Sequence, residues 1–346
     1  MAKCLGCGAT LQIEDPQKIG YVSKKGQEYC RRCFRLRNYN DLTLDVRNKL
    51  DYDDLSVLLE EEKEALVCIV LDILSLTSFI KANYLNRFKD HKFIILINKF
   101  DLLPYSINEE KIINNIQEIL KKEMVNNTNF LTAFICSKND KNFKEMFYEF
   151  VDEYQFNKFI FVGDFNAGKS SLINLLTDSK ELTSSMYPGS SINVNKKEYL
   201  NYIFYDSPGL ENKGNIYMHI PSSKISLLKY NYAIKPITYQ INSKQSFIFD
   251  GLFILSVEGK GGSVIFYLPD TLNILRTKKD NLENYLSKHQ KEFNFNLNLD
   301  TGYEFAKIDK KEYEISGLGF VRLVNIEKAD FILEKNVGIY EREILI

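Results

Sequence analysis

The sequence predicts an α/β fold, a parallel sheet built around a phosphate-binding loop, with a cysteine-rich module ahead of it and an α+β domain behind. Three observations carry that expectation. Unbroken apolar runs such as Phe93–Ile97 and Phe159–Val162 read as strands buried on both faces. The eight-residue pattern G-x-x-x-x-G-K-[ST] occupies 163–170, directly after one of those runs and ahead of an apolar helical stretch. Two C-x-x-C pairs fall within the first 40 residues. At 346 residues and 45% hydrophobic content, the chain is long enough for two or three domains with real cores.

The N-terminal module comes first. Cys4-x2-Cys7 and Cys30-x2-Cys33 are separated by 22 residues, and four soft thiolates in two such pairs suit tetrahedral Zn²⁺. Disulfides fit less well, because no secretory leader is expected and Cys68 and Cys136 sit inside apolar runs. Residues 1–40 carry eight Lys/Arg and three Asp/Glu, a balance of +5 in a chain of net −1. Localised positive charge suits a polyanion, and Arg31, Arg32, Arg35 and Arg37 are read as phosphate contacts. Phe34 is expected in the module's small core, while Tyr21, Tyr29 and Tyr39 fit either that core or base stacking.

From Leu42 to Glu64 charges alternate with apolar residues in a helical rhythm, and Ala65 to Asp72 reads as a buried strand. The strand Phe93–Ile97 delivers Asn98-Lys99-Phe100-Asp101 at its C-terminal end, where α/β sheets bind ligands. An Asp there accepts two hydrogen bonds from guanine N1–H and the 2-amino group, which adenine does not offer. A further strand and turn follow at Phe134-Ile135-Cys136-Ser137-Lys138, and Val151 to Lys158 reads as a linker. Next comes the phosphate loop, Gly163-Asp164-Phe165-Asn166-Ala167-Gly168-Lys169-Ser170, with Ser171 opening the helix. Its glycines let backbone N–H groups wrap phosphates, Lys169 reaches the β/γ oxygens and the Ser170 hydroxyl ligates Mg²⁺.

The guanine motif therefore precedes the phosphate loop by about sixty residues, the reverse of the usual order, which predicts a circularly permuted P-loop GTPase domain. Permutation is tolerated where original termini lie close and a linker joins them. By comparison with GTPases, Cys136-Ser137-Lys138 resembles the Ser-Ala-Lys loop beside the guanine carbonyl. Pro188-Gly189-Ser190-Ser191 resembles a Pro-Gly-Thr-Thr switch, in which Ser191, or else Ser190, gives Mg²⁺ a second hydroxyl. Leu200–Tyr205 reads as a strand leading to Asp206-Ser207-Pro208-Gly209. In GTPases that Asp reaches Mg²⁺ through water and the Gly N–H senses the γ-phosphate. Leu210 replaces the glutamine that orients attacking water, and Asn166 matches a position that helps hold K⁺ against the phosphates. Slow intrinsic turnover, stimulated by K⁺ and a macromolecular partner, is the expectation.

Beyond Leu210 a polar connector runs from Glu211 to Lys229, and short strands then predominate: Ile237–Ile241, Phe247–Val257 and Ser263–Leu268. Gly259-Lys260-Gly261-Gly262 reads as a hairpin turn between the last two. A helix at about 281–293, with Lys278, Lys279, Lys288 and Lys291 at or near it, and a strand region from Ile315 complete an α+β domain. Its lysines fit a solvated face or an RNA contact.

The whole chain resembles the YqeH family of circularly permuted, ribosome-associated GTPases. The likeness lies in the two cysteine pairs, the run Cys33-Phe34-Arg35-Leu36, the permuted motif order, and three C-terminal stretches: Phe249–Leu252, Leu275–Lys278 and Ser316–Gly319. The resemblance implies three domains: 1–40 binding zinc, 41–212 as the GTPase and 213–346 as the α+β domain. It also implies GTP/GDP, Mg²⁺, Zn²⁺ and K⁺ as ligands, a cytoplasmic location, and assistance to small-subunit (30S) ribosome assembly by nucleotide-dependent binding of rRNA or pre-ribosomal particles. Two alternatives stay open: a signalling-type GTPase acting on a protein complex, and an RNA-binding scaffold with structural GTP. Near-zero net charge excludes a wholly basic nucleic-acid coat, and no apolar stretch is long enough to span a membrane.

Overall fold

Runs of apolar residues without polar interruption become the strands at the centre of the first sheet. In a computed structural model, residues 2, 4, 10–15, 20–31, 34, 52–81, 85–88, 90–104, 108–124, 128–179, 185–186, 193–210, 212–230 and 232–345 are described. Two compact units divide the chain. The first comprises Met1–Ile73, Asn83–Phe100 and Asn126–Asn212; the second comprises Leu74–Ala82, Asp101–Val125 and Lys213–Ile346.

The first unit holds a seven-stranded sheet made of β1 (Leu66–Asp72), β2 (Phe93–Asn98), β3 (Phe130–Ile135), β4 (Lys158–Val162), β5 (Ser185–Met186), β6 (Asn193–Tyr199) and β7 (Tyr202–Asp206). Their spatial order is β3-β2-β1-β4-β7-β6-β5. The five strands from β3 to β7 in that order run parallel, while β6 is antiparallel to β7. Parallel pairing places the loops after β2, β3, β4 and β7 at one edge of the sheet. Those loops carry four of the five predicted nucleotide motifs.

Aromatic residues fill the core beneath this edge. Phe159 has no exposed surface, and its ring lies 5.0 Å from that of Phe204 and 5.2 Å from that of Phe147. Phe147 belongs to the helix Lys141–Glu153, whose first turn is capped by the Asp140 carboxylate accepting from the Phe143 N–H at 3.0 Å. That helix continues through Val151, and β4 begins at Lys158, so the expected linker shortens to Tyr154–Asn157. Leu200 also departs from expectation. It is 82% exposed at φ 54° in the tight turn joining β6 to β7, not in a strand. Periodicity alone hid a two-residue turn that needs a left-handed residue.

Part of the N-terminal module is described. Cys4, Val22 and Cys30 form its small core, with Leu11 and Tyr29 packed against it. Phe34, expected there, is 46% exposed, and Tyr29 is the aromatic residue packed on this cluster among the described residues.

The second unit contains β8 (Ile237–Ile241), β9 (Gln245–Phe249), β10 (Phe253–Glu258), β11 (Gly262–Tyr267), β12 (Ile274–Lys278), β13 (Leu299–Ile315), β14 (Gly319–Glu334) and β15 (Ile339–Arg342), joined in one antiparallel sheet. The expected strand over 247–257 is split by a tight turn at Asp250–Gly251. The predicted hairpin at Gly259–Gly262 is also replaced. Strands β10 and β11 do not pair with each other; both lie antiparallel to β14. Glu258 pairs with Lys328 and Ser263 with Val324, so five steps on one strand oppose four on the other, which makes a one-residue bulge. A Cβ on Gly262 would stand 2.3 Å from the Asn325 carbonyl oxygen, which explains the glycine. The helix expected over 281–293 spans Leu282–His289 and tightens to a 3-10 turn at Gln290–Glu292.

Glu312 and Glu314 on β13 are fully buried. Arg322 and Arg342 pair with Glu312 at 2.7 and 3.1 Å, and Arg342 pairs with Glu314 at 2.9 Å. The Glu314 carboxylate also accepts from the Thr77 and Ser78 N–H groups at 2.9 and 2.8 Å. Among the described residues no helix is long and apolar enough to cross a membrane.

Removing Phe159 should open a cavity in the aromatic core of the first unit. Urea unfolding of Phe159→Ala is expected to show a loss of about 3–5 kcal/mol, and a loss below about 1 kcal/mol would contradict this packing.

Candidate nucleotide site

The site begins with a loop whose backbone is forced into left-handed turns. Gly163 has φ 152° and its missing Cβ would lie 2.2 Å from the Val70 carbonyl oxygen. Gly168 has φ 98°, and a Cβ there would lie 2.1 Å from Asn98 Nδ2. Only glycine fits either position. Asn166 also adopts a left-handed conformation, φ 63°, which asparagine tolerates better than most residues. The helix Lys169–Leu176 starts from this loop, so its unpaired N–H groups and positive dipole end face the same space.

Lys169 is buried, and its ammonium donates to the carbonyl oxygens of Gly163 and Asp164, each at 3.0 Å. Burial pushes its pKa below the ordinary lysine value, while the Asp206 and Asp164 carboxylates oppose that shift. Asp206 closes the end of β7. Burial raises its pKa above the usual carboxylate value, against the pull of Lys169, Ser170 and Asn195. The Ser170 hydroxyl donates to Asp206 Oδ2 at 2.6 Å, whereas Oδ1 is buried with no hydrogen-bond partner among the described residues. A hydroxyl beside a carboxylate with a spare oxygen is the donor set a hydrated Mg²⁺ takes, so these residues fit that ion.

The segment after β7 lies directly on the phosphate loop. Leu210 N–H donates to the Gly163 carbonyl at 3.0 Å, Asp164 and Leu210 form a parallel bridge, and a Cβ on Gly209 would stand 2.8 Å from Phe165 Cα. Leu210 is buried, so its side chain faces no water.

On the other side of β4, Asn98 is buried and donates to the Ala167 carbonyl at 2.8 Å. This bond ties the guanine motif to the phosphate loop across 69 positions. Lys99, at φ 66°, forms an ion pair with Asp72 at 2.7 Å. Asp101 follows in the 3-10 turn Phe100–Leu102, with its side chain exposed. Cys136 is buried, and both its N–H and its thiol turn to the Ile97 carbonyl, at 2.9 and 3.6 Å. Cys136 thus fixes the loop, leaving the partly exposed Ser137 and the exposed Lys138 facing outward. Ser171 is exposed on the first helical turn. Ser190 and Ser191 lie outside the described residues.

Two site residues escaped the sequence reading. Asp72 ends a fully apolar run, so a carboxylate at a buried strand's C-terminus was its available signal. Asn212, whose side chain reaches Asp164, carried none.

Of the cysteine pairs, Cys4 and Cys30 are buried, and the Cys30 N–H donates to Cys4 Sγ at 3.1 Å. A sulfur that accepts a backbone N–H is compatible with a thiolate metal ligand at Cys4. Cys7 and Cys33 lie outside the described residues, and among the described ones no three His, Cys, Asp or Glu gather.

Comparison with known proteins agrees with this geometry. The YqeH protein of Bacillus subtilis (strain 168), itself uncharacterized, is 29% identical, and the alignment covers 99% of each chain. The chain is thus similar to YqeH along its whole length. Residues 158–298 match a family model described as "50S ribosome-binding GTPase". GTPase Der from Buchnera aphidicola subsp. Baizongia pistaciae is 27% identical over 57% of this chain and 50% of its own length. Der from subsp. Schizaphis graminum is 28% identical over 58% and 48%. The chain accordingly carries a P-loop GTPase domain, a domain type that implies GTP or GDP with Mg²⁺ as ligands. Its family match starts at Lys158, the first residue of β4, and leaves the guanine motif upstream.

Gly168→Ala introduces a left-handed alanine against Asn98. Calorimetric titration with GDP should show affinity reduced at least about tenfold, and unchanged affinity would contradict the crowding at this position.

Proposed function

We propose that this YqeH-like GTPase is circularly permuted and uses its nucleotide state to control binding to a ribosomal particle or its rRNA. The observation that carries the permutation is the strand order. Strands β2 and β3, with the guanine and Ser-Lys loops, lie to one side of the phosphate-loop strand β4; β7, with Asp206–Gly209, lies to the other, although β2 and β3 come first in the chain. Placing them after β7 would give the conventional order, with the short Tyr154–Asn157 connection as the join. The domain limits proposed are 1–40, 41–212 and 213–346.

Within the site, Asn98, Lys99 and Asp101 form the guanine motif, with Ser137 and Lys138 beside the base. Gly163 to Ser171 hold the phosphates, Ser170 and Asp206 hold Mg²⁺ with Ser191 or Ser190, and the Gly209 N–H reads the γ-phosphate. Bound Mg²⁺ offsets charge on the phosphate oxygens during transfer. Leu210 is apolar and cannot orient water, so Asn166, exposed on the loop, is assigned to K⁺. Cys4, Cys7, Cys30 and Cys33 are assigned to Zn²⁺, supported by the pairing of the two C-x-x-C sequences and by the Cys30 N–H donated to Cys4 Sγ.

The GTPase rate should therefore rise in K⁺ over Na⁺, and Asn166→Ala should abolish that difference. Equal wild-type rates in the two salts would remove the potassium assignment. The family resemblance favours the small subunit, whereas the matching family model is described by 50S binding. Sucrose-gradient co-sedimentation with a non-hydrolysable GTP analogue and with GDP decides between them. Analogue-dependent migration with 30S particles is expected; migration with 50S would move the partner, and nucleotide-independent migration would defeat the switch reading.

A further inference from the structure

The phosphate loop has an acidic residue at its second position, where a carboxylate would repel the phosphates unless its charge is directed elsewhere. Asp164 is 6% exposed, and its Oδ2 accepts from Asn212 Nδ2 at 2.8 Å. Asn212 is equally buried. Its N–H donates to the Leu210 carbonyl at 3.0 Å, a bond between residues two apart that folds the chain back on itself after Gly209 and Leu210. Leu210 in turn donates to Gly163. The result is a closed circuit: loop residues Gly163 and Asp164 hold Leu210 and Asn212, and next to it Gly209 is pressed against Phe165. Asn212 is also the last residue before the chain passes to the second unit at Lys213.

We infer that Asn212 and Asp164 form a positioning latch, which holds the Asp206–Gly209 segment against the phosphate loop so that the Gly209 N–H is preset for a γ-phosphate. In this role the two side chains act on each other, while Asp164 meets the phosphates through the backbone of the loop. The latch acts by ordering a segment that otherwise loses conformational entropy when GTP binds. It therefore strengthens GTP binding more than GDP binding. A charge-assisted hydrogen bond between buried groups is strong enough for this.

The inference rests on the reading of Gly209 as γ-phosphate sensor, and one set of variants separates the two. The full-length chain is titrated with a non-hydrolysable GTP analogue and with GDP in Mg²⁺, and kcat and KM are measured for GTP. Asn212→Ala is expected to weaken analogue binding about tenfold while GDP affinity moves less than about twofold. The reciprocal double variant Asp164→Asn/Asn212→Asp keeps a donor facing a carboxylate. It should restore the GTP-to-GDP affinity ratio to within about twofold of wild type, although each single change lowers it. Equal loss of both nucleotides in Asn212→Ala, or a double variant no better than the single changes, overturns the latch. Gly209→Ala tests the underlying reading: if it keeps the wild-type ratio, the sensor assignment fails. If it loses the ratio while Asn212→Ala keeps it, the latch alone fails.

Discussion

The phosphate loop has no room for a side chain at two of its turns, and the rest of the first unit is arranged around that constraint. Gly163 is closed off by the Val70 carbonyl of the neighbouring strand, and Gly168 by the Asn98 side chain. These crowded faces are also where the other motifs attach. Asn98 bonds the loop from the guanine side, and Leu210 bonds it from the side of Asp206. A loop that must offer its N–H groups to phosphate is thus held by its carbonyls, by close packing and by the Asp164 side chain. Ala167, Gly163 and Asp164 use their carbonyls in this way.

Chain order becomes secondary to this geometry. Parallel strands present their C-terminal loops at one edge whatever their sequence order. The guanine motif reaches the loop from 69 positions upstream as readily as a downstream one would, because a single hydrogen bond in a fixed register makes the connection. What the order does change is the exit. The segment after Gly209 is followed within four residues by the second unit, so the hydrogen bonds of Leu210 and Asn212 are the last ties before the chain leaves.

Much of this was legible in the sequence. The runs at β1, β2 and β4 are apolar at every buried position except Asn98 at the end of β2, and a sheet covered on both faces explains them. The glycine-lysine loop and Asp206–Gly209 were legible because their chemistry requires fixed residue types at fixed spacing. The remainder depended on tertiary partners. The bulge at Gly259–Gly262 looked like a hairpin because glycine runs serve both purposes, and the strand that separates the two cases, β14, begins 57 positions after Gly262. Glu312 and Glu314 alternate with apolar neighbours as a half-exposed strand would. They are buried because Arg322 and Arg342, remote in sequence, neutralise them. The pairing of Asp164 with Asn212 was hidden for the same reason.

The central claim is that the upstream guanine motif and the downstream phosphate loop act as one site, joined through Asn98 and Ala167. Calorimetric titration of wild type and Asn98→Ala with GDP and with ADP tests it most directly. Wild type should prefer GDP by at least about a hundredfold, and Asn98→Ala should bind GDP more weakly with that preference largely lost. Equal binding of ADP and GDP by wild type, or an Asn98→Ala variant that keeps both affinity and preference, would contradict it.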